Sequence, residues 1–256
     1  MTGSGYALFA PYYDGLMRGA QYEARADYFC EIFRRFSHTP KLGIDLACGT
    51  GSLTLALKKR GLDFYGVDAS PEMLSKAMEK TAQAGEDILF LCQRLERLDL
   101  YGTVDAVVCC LDSINYLPSE EDVERTFSSV CRFLIPGGLF IFDVNTEKRF
   151  REKYGKNDFI LENKNGLIAW SCDYKPRLGR CDFYLSCFVP CPDGRYVRRD
   201  EEQSEYCYSD KKLRAAAEKC GFEVLACYDR MALHDGDENS EKVHYILKKK
   251  NTEEKK

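Results

Sequence analysis

The sequence lacks an excess of basic residues, because 41 aspartates and glutamates outnumber its 37 lysines and arginines. The formal net charge is −4 at pH 7, and the pI is about 5.6. Proteins that bind nucleic acid through its phosphates usually present a basic patch or stripe. The composition therefore argues against nucleic acid as a partner.

The sequence also lacks a long apolar run and a signal-peptide pattern. A membrane-spanning helix needs about 20 mostly apolar residues, and a secretory signal joins a charged segment to an apolar one. We therefore expect a cytoplasmic protein with no membrane partner. A hydrophobic content of 45% over 256 residues suffices for one α/β core and a small added subdomain.

Regular cysteine spacing is absent as well, although the chain has 13 cysteines. An odd, scattered set is a poor disulfide framework and indicates a reducing compartment. Cys181, Cys187 and Cys191 also lack the paired C-x-x-C spacing of structural zinc sites. We therefore predict no metal site.

A glycine loop is the landmark of the chain: Asp45-Leu46-Ala47-Cys48-Gly49-Thr50-Gly51. The pattern predicts a strand at 41–44 and a helix at 52–60. Glycines permit positive φ and close approach of a ligand, and the first N–H groups of the helix are free to donate. A pyrophosphate fingerprint, G-x-G-x-x-G, would need a third glycine at Thr54, which argues against a nicotinamide enzyme. An ordinary strand-to-helix turn is the alternative.

A second apolar strand, 63–67, ends in Asp68, seventeen residues after Gly51. The two carboxylate oxygens of an acidic residue at this place accept hydrogen bonds from both hydroxyls of a ribose. Asp68 could instead cap the next helix, but Ser70 and Pro71 already supply a cap and a first-position proline. We favour ribose binding.

The loop D-L-A-C-G-T-G resembles motif I of class I S-adenosylmethionine-dependent methyltransferases, and three later stretches resemble the same family. Residues 69–74 resemble the segment after the acidic residue, 111–117 the motif IV region of a bacterial group of cytosolic methyltransferases, and 134–143 the turn into strand five. This resemblance implies an α/β, Rossmann-like fold with a seven-stranded, mostly parallel sheet whose last strand is antiparallel.

The resemblance also implies a binding site for S-adenosyl-L-methionine. The expected cofactor residues are Asp45, Ala47, Cys48, Gly49, Gly51, Asp68, Ala69, Met73, Arg94, Leu95, Leu111 and Tyr13. Ala69 or Met73 is expected near the adenine. The family commonly has an aspartate near the position of Arg94 to accept from the adenine amino group, which an arginine cannot do. Backbone groups around Leu95 could replace it.

The methyl acceptor is expected where the fourth strand, 104–110, ends, because open α/β sheets bind ligands at that edge. The candidate catalytic residues are Asp112, Tyr116 and Asp143, and the candidate substrate contacts at this edge are Asn115 and Asn145. The alternative is that Asp112 and Asn115 cap the loop and Tyr116 packs. The absence of an NPPY-type tetrapeptide argues against amide or nucleobase N-methylation of that kind.

Aromatic residues precede an amphipathic helix predicted from about Gln21 to Phe36. The segment 13–17 resembles one that folds over cofactor and substrate in many small-molecule methyltransferases. Tyr13, with Tyr6 and Tyr12, is therefore expected to cover the methionine part of the cofactor. Packing of a terminal helix onto the core is the alternative.

Period-two alternation predicts an antiparallel sheet of three or four strands at about 156–208. We expect a core of 1–150 and 209–250, this insert, and a frayed tail at 251–256. The insert resembles the lid of glycine and sugar N-methyltransferases, which makes Trp170, Tyr184 and Arg198 candidate substrate contacts. A surface for homodimer formation is the alternative, and one surface could serve both roles.

These patterns together predict an enzyme that transfers a methyl group from S-adenosylmethionine to a nitrogen or oxygen of a small molecule. Positioning alone can contribute about 7–11 kcal/mol, so a general base is not required. Two alternatives remain open. One is an RNA methyltransferase in which Arg195, Arg198 and Arg199 touch phosphates, and the other is a cofactor-binding protein without methyl transfer.

Overall fold

The computed structural model describes residues 14, 20–155, 157–163, 166–237 and 239–251. Tyr13, the other tyrosines proposed to cover the cofactor, and tail residues 252–256 lie outside this part of the chain. The described residues form two sheets, one of seven strands and one of four.

The strands follow one another along the chain with helices between those of the larger sheet. They are β1 Gly43–Leu46, β2 Phe64–Asp68, β3 Phe90–Cys92, β4 Val104–Cys109, β5 Leu134–Asn145, β6 Phe159–Asn163, β7 Gly166–Lys175, β8 Arg180–Pro190, β9 Tyr196–Tyr206, β10 Phe222–Asp229 and β11 Lys242–Lys249. The larger sheet has the order β10-β11-β5-β4-β1-β2-β3. Only the pairings of β11, with β5 and with β10, are antiparallel. The predicted fold class is confirmed.

Five helices connect or flank these strands: α1 Tyr22–Arg35, α2 Ser52–Lys58, α3 Pro71–Gln83, α4 Glu120–Phe133 and α5 Asp210–Lys219. A short helix, Glu147–Arg149, continues into a π-helical turn, Phe150–Tyr154, after β5. Ser70 and Ser119 cap α3 and α4 by accepting the N–H groups of Met73 and Asp122, as their sequence positions predict. Within the described ranges, no helix is long and apolar enough to cross a membrane.

Apolar side chains cover both faces of the large sheet. On one face, Phe127 of α4 packs against Phe140 and Phe142 of β5, with ring centroids 5.5 and 5.1 Å away. On the other face, Phe29 and Ile32 of α1 belong to the buried cluster that includes strand residues of β4 and β5. This three-layer packing leaves the carboxyl ends of β1, β2, β4 and β5 along one edge of the sheet, where ligands bind in open α/β folds.

The second sheet is antiparallel, with the order β6-β7-β8-β9. Gly179 (φ 57°) and Gly194 (φ 81°) occupy left-handed positions in two of its turns, a conformation that glycine adopts without steric cost. On its inner face Tyr154, Trp170 and Phe183 pack together, with ring centroids 5.2–5.8 Å apart. This aromatic cluster turns toward the edge where β4 and β5 end.

Candidate functional site

The glycine loop begins at the end of β1 and closes at the N-cap of α2, which is Gly51. Ala47, Gly49 and Gly51 all have positive φ, of 59°, 54° and 68°. A Cβ built on Gly51 would lie 2.9 Å from the Ala77 Cβ, whereas a Cβ on Gly49 would meet nothing within 4 Å. The loop is therefore tightly packed on the α3 side and open at Gly49.

Two acidic side chains support the loop. The Gly49 N–H donates to Asp68 Oδ2 at 2.9 Å, and the Ser70 N–H donates to Asp68 Oδ1 at 2.8 Å; burial raises the pKa of Asp68. Asp45 accepts a 2.6 Å hydrogen bond from the Thr54 hydroxyl, and burial raises its pKa to about 7. Asp68 thus joins the glycine loop to the start of α3 and stands beside the open face of Gly49.

Asp14 contacts this loop. Its carboxylate accepts from the hydroxyls of Thr50 (2.6 Å) and Ser52 (3.1 Å) and pairs with Lys80 at 2.5 Å. The contact lies next to the first turn of α2. The residue before it, Tyr13, lies outside the described residues.

The remaining residues expected at the adenine differ in their exposure. Met73 is buried in α3, Leu95 packs against the main core, and Ala69 is half-buried after β2. Arg94 is exposed and forms a 2.5 Å ion pair with Glu96. Its guanidinium thus has a carboxylate partner at the surface.

A strained turn follows β4. Leu111 (φ 58°) and Asp112 (φ 61°) are non-glycine residues in the left-handed region, which costs about 1–3 kcal/mol each and is found mainly at ligand-binding sites. The Asp112 N–H donates to Asp143 Oδ1 at 2.6 Å. The Asp112 carboxylate accepts from Lys242 (2.7 Å) and Asn145 (2.6 Å). These bonds hold the strained backbone in one conformation.

Asp143 lies behind this turn and is completely buried. Burial alone would raise its pKa, but Lys242 and Arg25, together with His244 when it is protonated at acidic pH, hold the pKa well below its usual range. Burial lowers the pKa of His244 to about 4, so this imidazole is neutral at pH 7. Asp143, one of the three candidate catalytic residues, does not line the cavity described next; its carboxylate accepts from the Asp112 N–H and pairs with Arg25.

A cavity of about 580 Å³ separates the carboxyl edge of the large sheet from the inner face of the four-stranded sheet; we call it the lid cavity. Its core side is lined by Arg25, Leu111, Asp112, Tyr116, Arg230, Met231, Glu241, Lys242 and His244. Its other side is lined by Arg149, Lys153, Tyr154, Phe159, Leu161, Ile168, Trp170, Phe183, Leu185, Gln203 and Glu205. A charged wall therefore faces a mainly aromatic and aliphatic one.

Glu205 joins the two sides through Asn145. The Asn145 amide donates to Asp112 Oδ2 at 2.6 Å and to Glu205 Oε2 at 2.8 Å. Burial and the neighbouring Asp112 carboxylate raise the pKa of Glu205 to about 8, so this carboxyl keeps its proton at pH 7. Asn115 donates to the Tyr206 carbonyl at 2.8 Å and accepts from the Asn145 N–H at 2.9 Å. The two asparagines, expected as substrate contacts, are thus buried links between strands.

Of the three candidates on the four-stranded sheet, only Trp170 lines the cavity. Tyr184 is 43% exposed, because the flanking Phe183 and Leu185 point inward and side chains alternate along a strand. Arg198 bonds Asp200 on the outside of β9. The structure therefore does not bring Tyr184 or Arg198 to the cavity.

Eight charged or histidine residues of the lining escaped the sequence analysis: Arg25, Arg149, Lys153, Glu205, Arg230, Glu241, Lys242 and His244. Two carried a detectable signal. Arg25 occupies the buried face of the amphipathic α1, and Glu205 is a buried acid within a strand. Charged residues are rarely buried unless they have partners, so such positions mark candidate sites.

Comparison with known proteins places this geometry in a family. A family model described as a methyltransferase domain matches residues 44–138. A Geobacillus sp. (strain WCH70) protein, named as a methyltransferase without a stated substrate, is 30% identical over 245 residues, 95% of this chain and 99% of that one. A glycine/sarcosine N-methyltransferase of Parasynechococcus marenigrum (strain WH8102) is 29% identical over 136 residues, 52% of this chain and 47% of that one.

The crystal structure of an S-adenosylmethionine-dependent methyltransferase from Clostridium acetobutylicum ATCC 824 superimposes with a TM-score of 0.86. The two chains are 29% identical, and the match covers 96% of this chain and 99% of that one. The glycine loop after β1, Asp68 after β2 and the antiparallel β11 fit the same family. This chain belongs to the class I S-adenosylmethionine-dependent methyltransferases.

Proposed function

We propose that this enzyme methylates a nitrogen or oxygen atom of a small molecule bound in the lid cavity. The observation that carries the proposal is the position of this cavity, which has Asp112 and Tyr116 on one side and Trp170 and Phe183 on the other. Its volume of about 580 Å³ lies within the range of small-ligand pockets, about 300–1,000 Å³. The four-stranded sheet, within the predicted insert 156–208, acts as the lid.

The residues of the glycine loop suit the cofactor. Open space at Gly49 allows a ligand to approach the backbone, and the Asp68 carboxylate stands beside it as the acceptor for ribose hydroxyls. When bound, S-adenosylmethionine supplies an electrophilic methyl group on a sulfonium, which is its own leaving group. We assign Asp45, Ala47, Cys48, Gly51, Ala69 and Leu111 to the surroundings of this site, and Tyr13 to its cover.

The chain's own residues mainly position the acceptor. Asp112 is fixed by Lys242 and Asn145, so its carboxylate presents a defined direction to the cavity, which Tyr116 also lines. The aromatic wall excludes water and restricts the acceptor, and such restriction can contribute about 7–11 kcal/mol. An amine acceptor must enter the reaction unprotonated; Asp112 would receive its proton, and Tyr116 would orient the amine.

A small acceptor fits the chain better than RNA does. The net charge is −4, whereas RNA-binding surfaces are usually basic, and Arg195 and Arg198 pair with Asp193 and Asp200. The matched relative from Parasynechococcus marenigrum is named for glycine and sarcosine, both small amines. We further propose a cytoplasmic location, supported by 13 free cysteines, which suit a reducing compartment.

The first test separates cofactor binding from methyl transfer. Calorimetry should show binding of S-adenosylmethionine and S-adenosylhomocysteine but not NAD, and Asp68→Ala should weaken it by about tenfold or more, since a charge-assisted hydrogen bond contributes about 1.5–3 kcal/mol. Asp63→Ala, an exposed acid just before β2, is the matched control. Equal affinity in the parent and Asp68→Ala would contradict the assigned role of Asp68.

The second test measures methyl transfer from labelled S-adenosylmethionine to a panel of small amines and alcohols. Asp112→Asn and Tyr116→Phe should lower kcat by about tenfold, within the range of positioned acid–base groups, while cofactor affinity stays unchanged. Tyr101→Phe, at a fully exposed tyrosine, should leave kcat unaltered. Unchanged turnover in both cavity variants would remove their proposed roles, and cofactor binding without any turnover would favour the non-catalytic alternative.

We also propose that the chain forms a homodimer through the edge of β9. Among the described strands β9 pairs only with β8, and residues 196–200 are exposed. The run Arg198-Arg199-Asp200-Glu201-Glu202 is complementary to itself in the antiparallel direction. About a twofold axis at Asp200, Arg198 would face Glu202 of the second copy and Arg199 would face Glu201, and such cross-strand charge pairs are favourable.

A further inference from the structure

The helical segment after β5 directs two cationic side chains into the lid cavity. Arg149 and Lys153 are four residues apart, one helical turn, and both line the cavity. Lys148 and Arg151 of the same segment line a different cavity near α5. The segment therefore presents one pair of cations to the lid cavity and another pair elsewhere.

The other three cations of the cavity already have carboxylate partners. These are Arg25 with Asp143 at 3.2 Å, Lys242 with Asp112 at 2.7 Å and Arg230 with Glu241 at 2.9 Å. Arg149 donates to the Tyr154 hydroxyl at 2.9 Å and lies 3.7 Å from Glu241, which Arg230 already holds. Lys153 forms no ion pair with any residue that the structure describes.

The remaining carboxyl of the cavity does not balance this charge. Glu205 has its pKa raised to about 8 by burial and by Asp112, so it is mainly neutral at pH 7. The nearby charge of Arg149, followed by burial, lowers the pKa of Lys153. Like charges one helical turn apart repel. The end of the cavity at Arg149 and Lys153 thus carries positive charge without an equivalent counter-charge.

We infer that the methyl acceptor carries an anionic group, a carboxylate or phosphate, which Arg149 and Lys153 bind. The inference rests on the proposed function, in which the lid cavity holds the acceptor. The guanidinium fork of Arg149 suits two oxygens of one anion, and the Lys153 ammonium adds a point charge. The apolar part of the acceptor lies against Trp170 and Phe183, and the nucleophilic atom points toward Asp112.

The test uses the full chain saturated with S-adenosylhomocysteine and measures binding by calorimetry. Probes are matched pairs that differ in the anionic group: glucosamine 6-phosphate and glucosamine, glycine and ethanolamine, benzoate and benzyl alcohol, with inorganic phosphate and acetate alone. Variants are Arg149→Gln and Lys153→Gln. Arg151→Gln, on the same segment and facing the other cavity, is the matched control.

In the parent and in Arg151→Gln, we expect at least one anionic probe to bind about tenfold more tightly than its neutral partner. The preference should fall at least fivefold in each cavity variant and should weaken with salt. The inference is overturned if no anion binds, if neutral partners bind equally well, or if the preference persists in both cavity variants. Methyl transfer to a neutral acceptor that depends on Asp112 would leave the proposed function intact while this inference fails.

Discussion

Glu205 shows how one buried residue shapes the cavity. Asn145 donates one amide to both Glu205 and Asp112, which brings two carboxyl groups close together in a poorly solvated place. Lys242 pairs with Asp112, while burial and the neighbouring Asp112 raise the pKa of Glu205 to about 8. One of the two carboxyls is thus a hydrogen-bond donor at neutral pH.

This arrangement predicts a pH dependence of stability. Between an unfolded-state pKa of 4.5 and a folded-state pKa of about 8, the folded protein binds a proton that the unfolded chain has lost. The free energy of unfolding therefore falls as pH rises through this window, by at most about 1.4 kcal/mol per pH unit for this group. Glu205→Gln should remove that slope, as measured by urea unfolding at pH 5.5 and pH 8.

Glu202→Gln is the matched control, because Glu202 is exposed on the same strand and should leave the slope of the parent unchanged. Subtracting the free energy of unfolding of Glu205→Gln from that of the parent removes the contributions of other groups that titrate in the same pH window, including Asp45. If the free energies of unfolding of the parent and Glu205→Gln differ by the same amount at both pH values, Glu205 is already ionised in the folded protein.

The contacts of single side chains were the least predictable feature from sequence. Asn115 follows β4 and Asp143 lies near the end of β5, as expected. Their hydrogen-bond partners, Tyr206 and Arg25, are distant in sequence, and no local pattern reveals them. Trp170 and Tyr184 belong to neighbouring strands with the same kind of alternation, and only the complete structure shows that Trp170 lines the cavity and Tyr184 does not. Charge pairs between distant segments depend on the complete fold.

At the scale of elements, substitutions at two glycines can distinguish the cost of backbone strain from the loss of space for the ligand. Gly49 and Gly61 both have positive φ, 54° and 78°, and a Cβ at either would meet no atom within 4 Å. Alanine should therefore cost each position about 1–2 kcal/mol of unfolding free energy, the penalty of an L-residue in the left-handed region. Only Gly49 lies in the loop assigned to the cofactor.

Gly49→Ala should therefore weaken S-adenosylhomocysteine binding by about tenfold or more, because its Cβ enters the space where the ligand approaches the backbone. Gly61 lies after α2, outside the glycine loop. Gly61→Ala should therefore lower only the free energy of unfolding and leave the affinity unchanged. Calorimetry and urea unfolding on both variants check the two quantities separately. Equal affinities in the two variants would place the cofactor away from Gly49.

Elements were predictable because their signals are local. Apolar periodicity and the cap Ser70 depend on neighbours in sequence, and the structure has the predicted strands and helices there. The strained turn at Leu111 and Asp112 was not predictable, since leucine rarely adopts positive φ, although aspartate does so more often than most residues. Its conformation depends on Asp143 and Lys242, which come from later strands.

At the scale of the whole molecule, the lid cavity arises because two sheets of different kinds meet at one edge. The parallel sheet collects its charged strand ends there, and the antiparallel sheet supplies aromatic side chains from its inner face. Sequence reasoning predicted both sheets, because alternating and continuous apolar patterns distinguish them. It could not predict the charge balance of the cavity, which combines residues of α1, β4, β9, β11 and the segment after β5.

The oligomeric state in solution tests whether two copies of the chain pair through the edge of β9. Exposed edge strands readily pair with another chain, and opposite-charge pairs across strands contribute about 0.2–1 kcal/mol each. A twofold axis at Asp200 would set four such pairs, Arg198 with Glu202 and Arg199 with Glu201, each occurring twice. Sedimentation velocity should therefore show a dimer for the parent chain and for the control Lys211→Glu, on the exposed surface of α5.

Charge reversal should break and then restore this pairing. An acidic variant, Arg198→Glu with Arg199→Glu, and a basic variant, Glu201→Arg with Glu202→Arg, should each be monomeric because like charges then face each other across the axis. An equimolar mixture should form a heterodimer, since residues 198, 199, 201 and 202 then all face opposite charges, and the pair of Asp200 with Asp200 is the same in every combination. A monomeric parent, or variants that remain dimers by themselves, would exclude this register, and recovery in the mixture alone distinguishes pairing from misfolding.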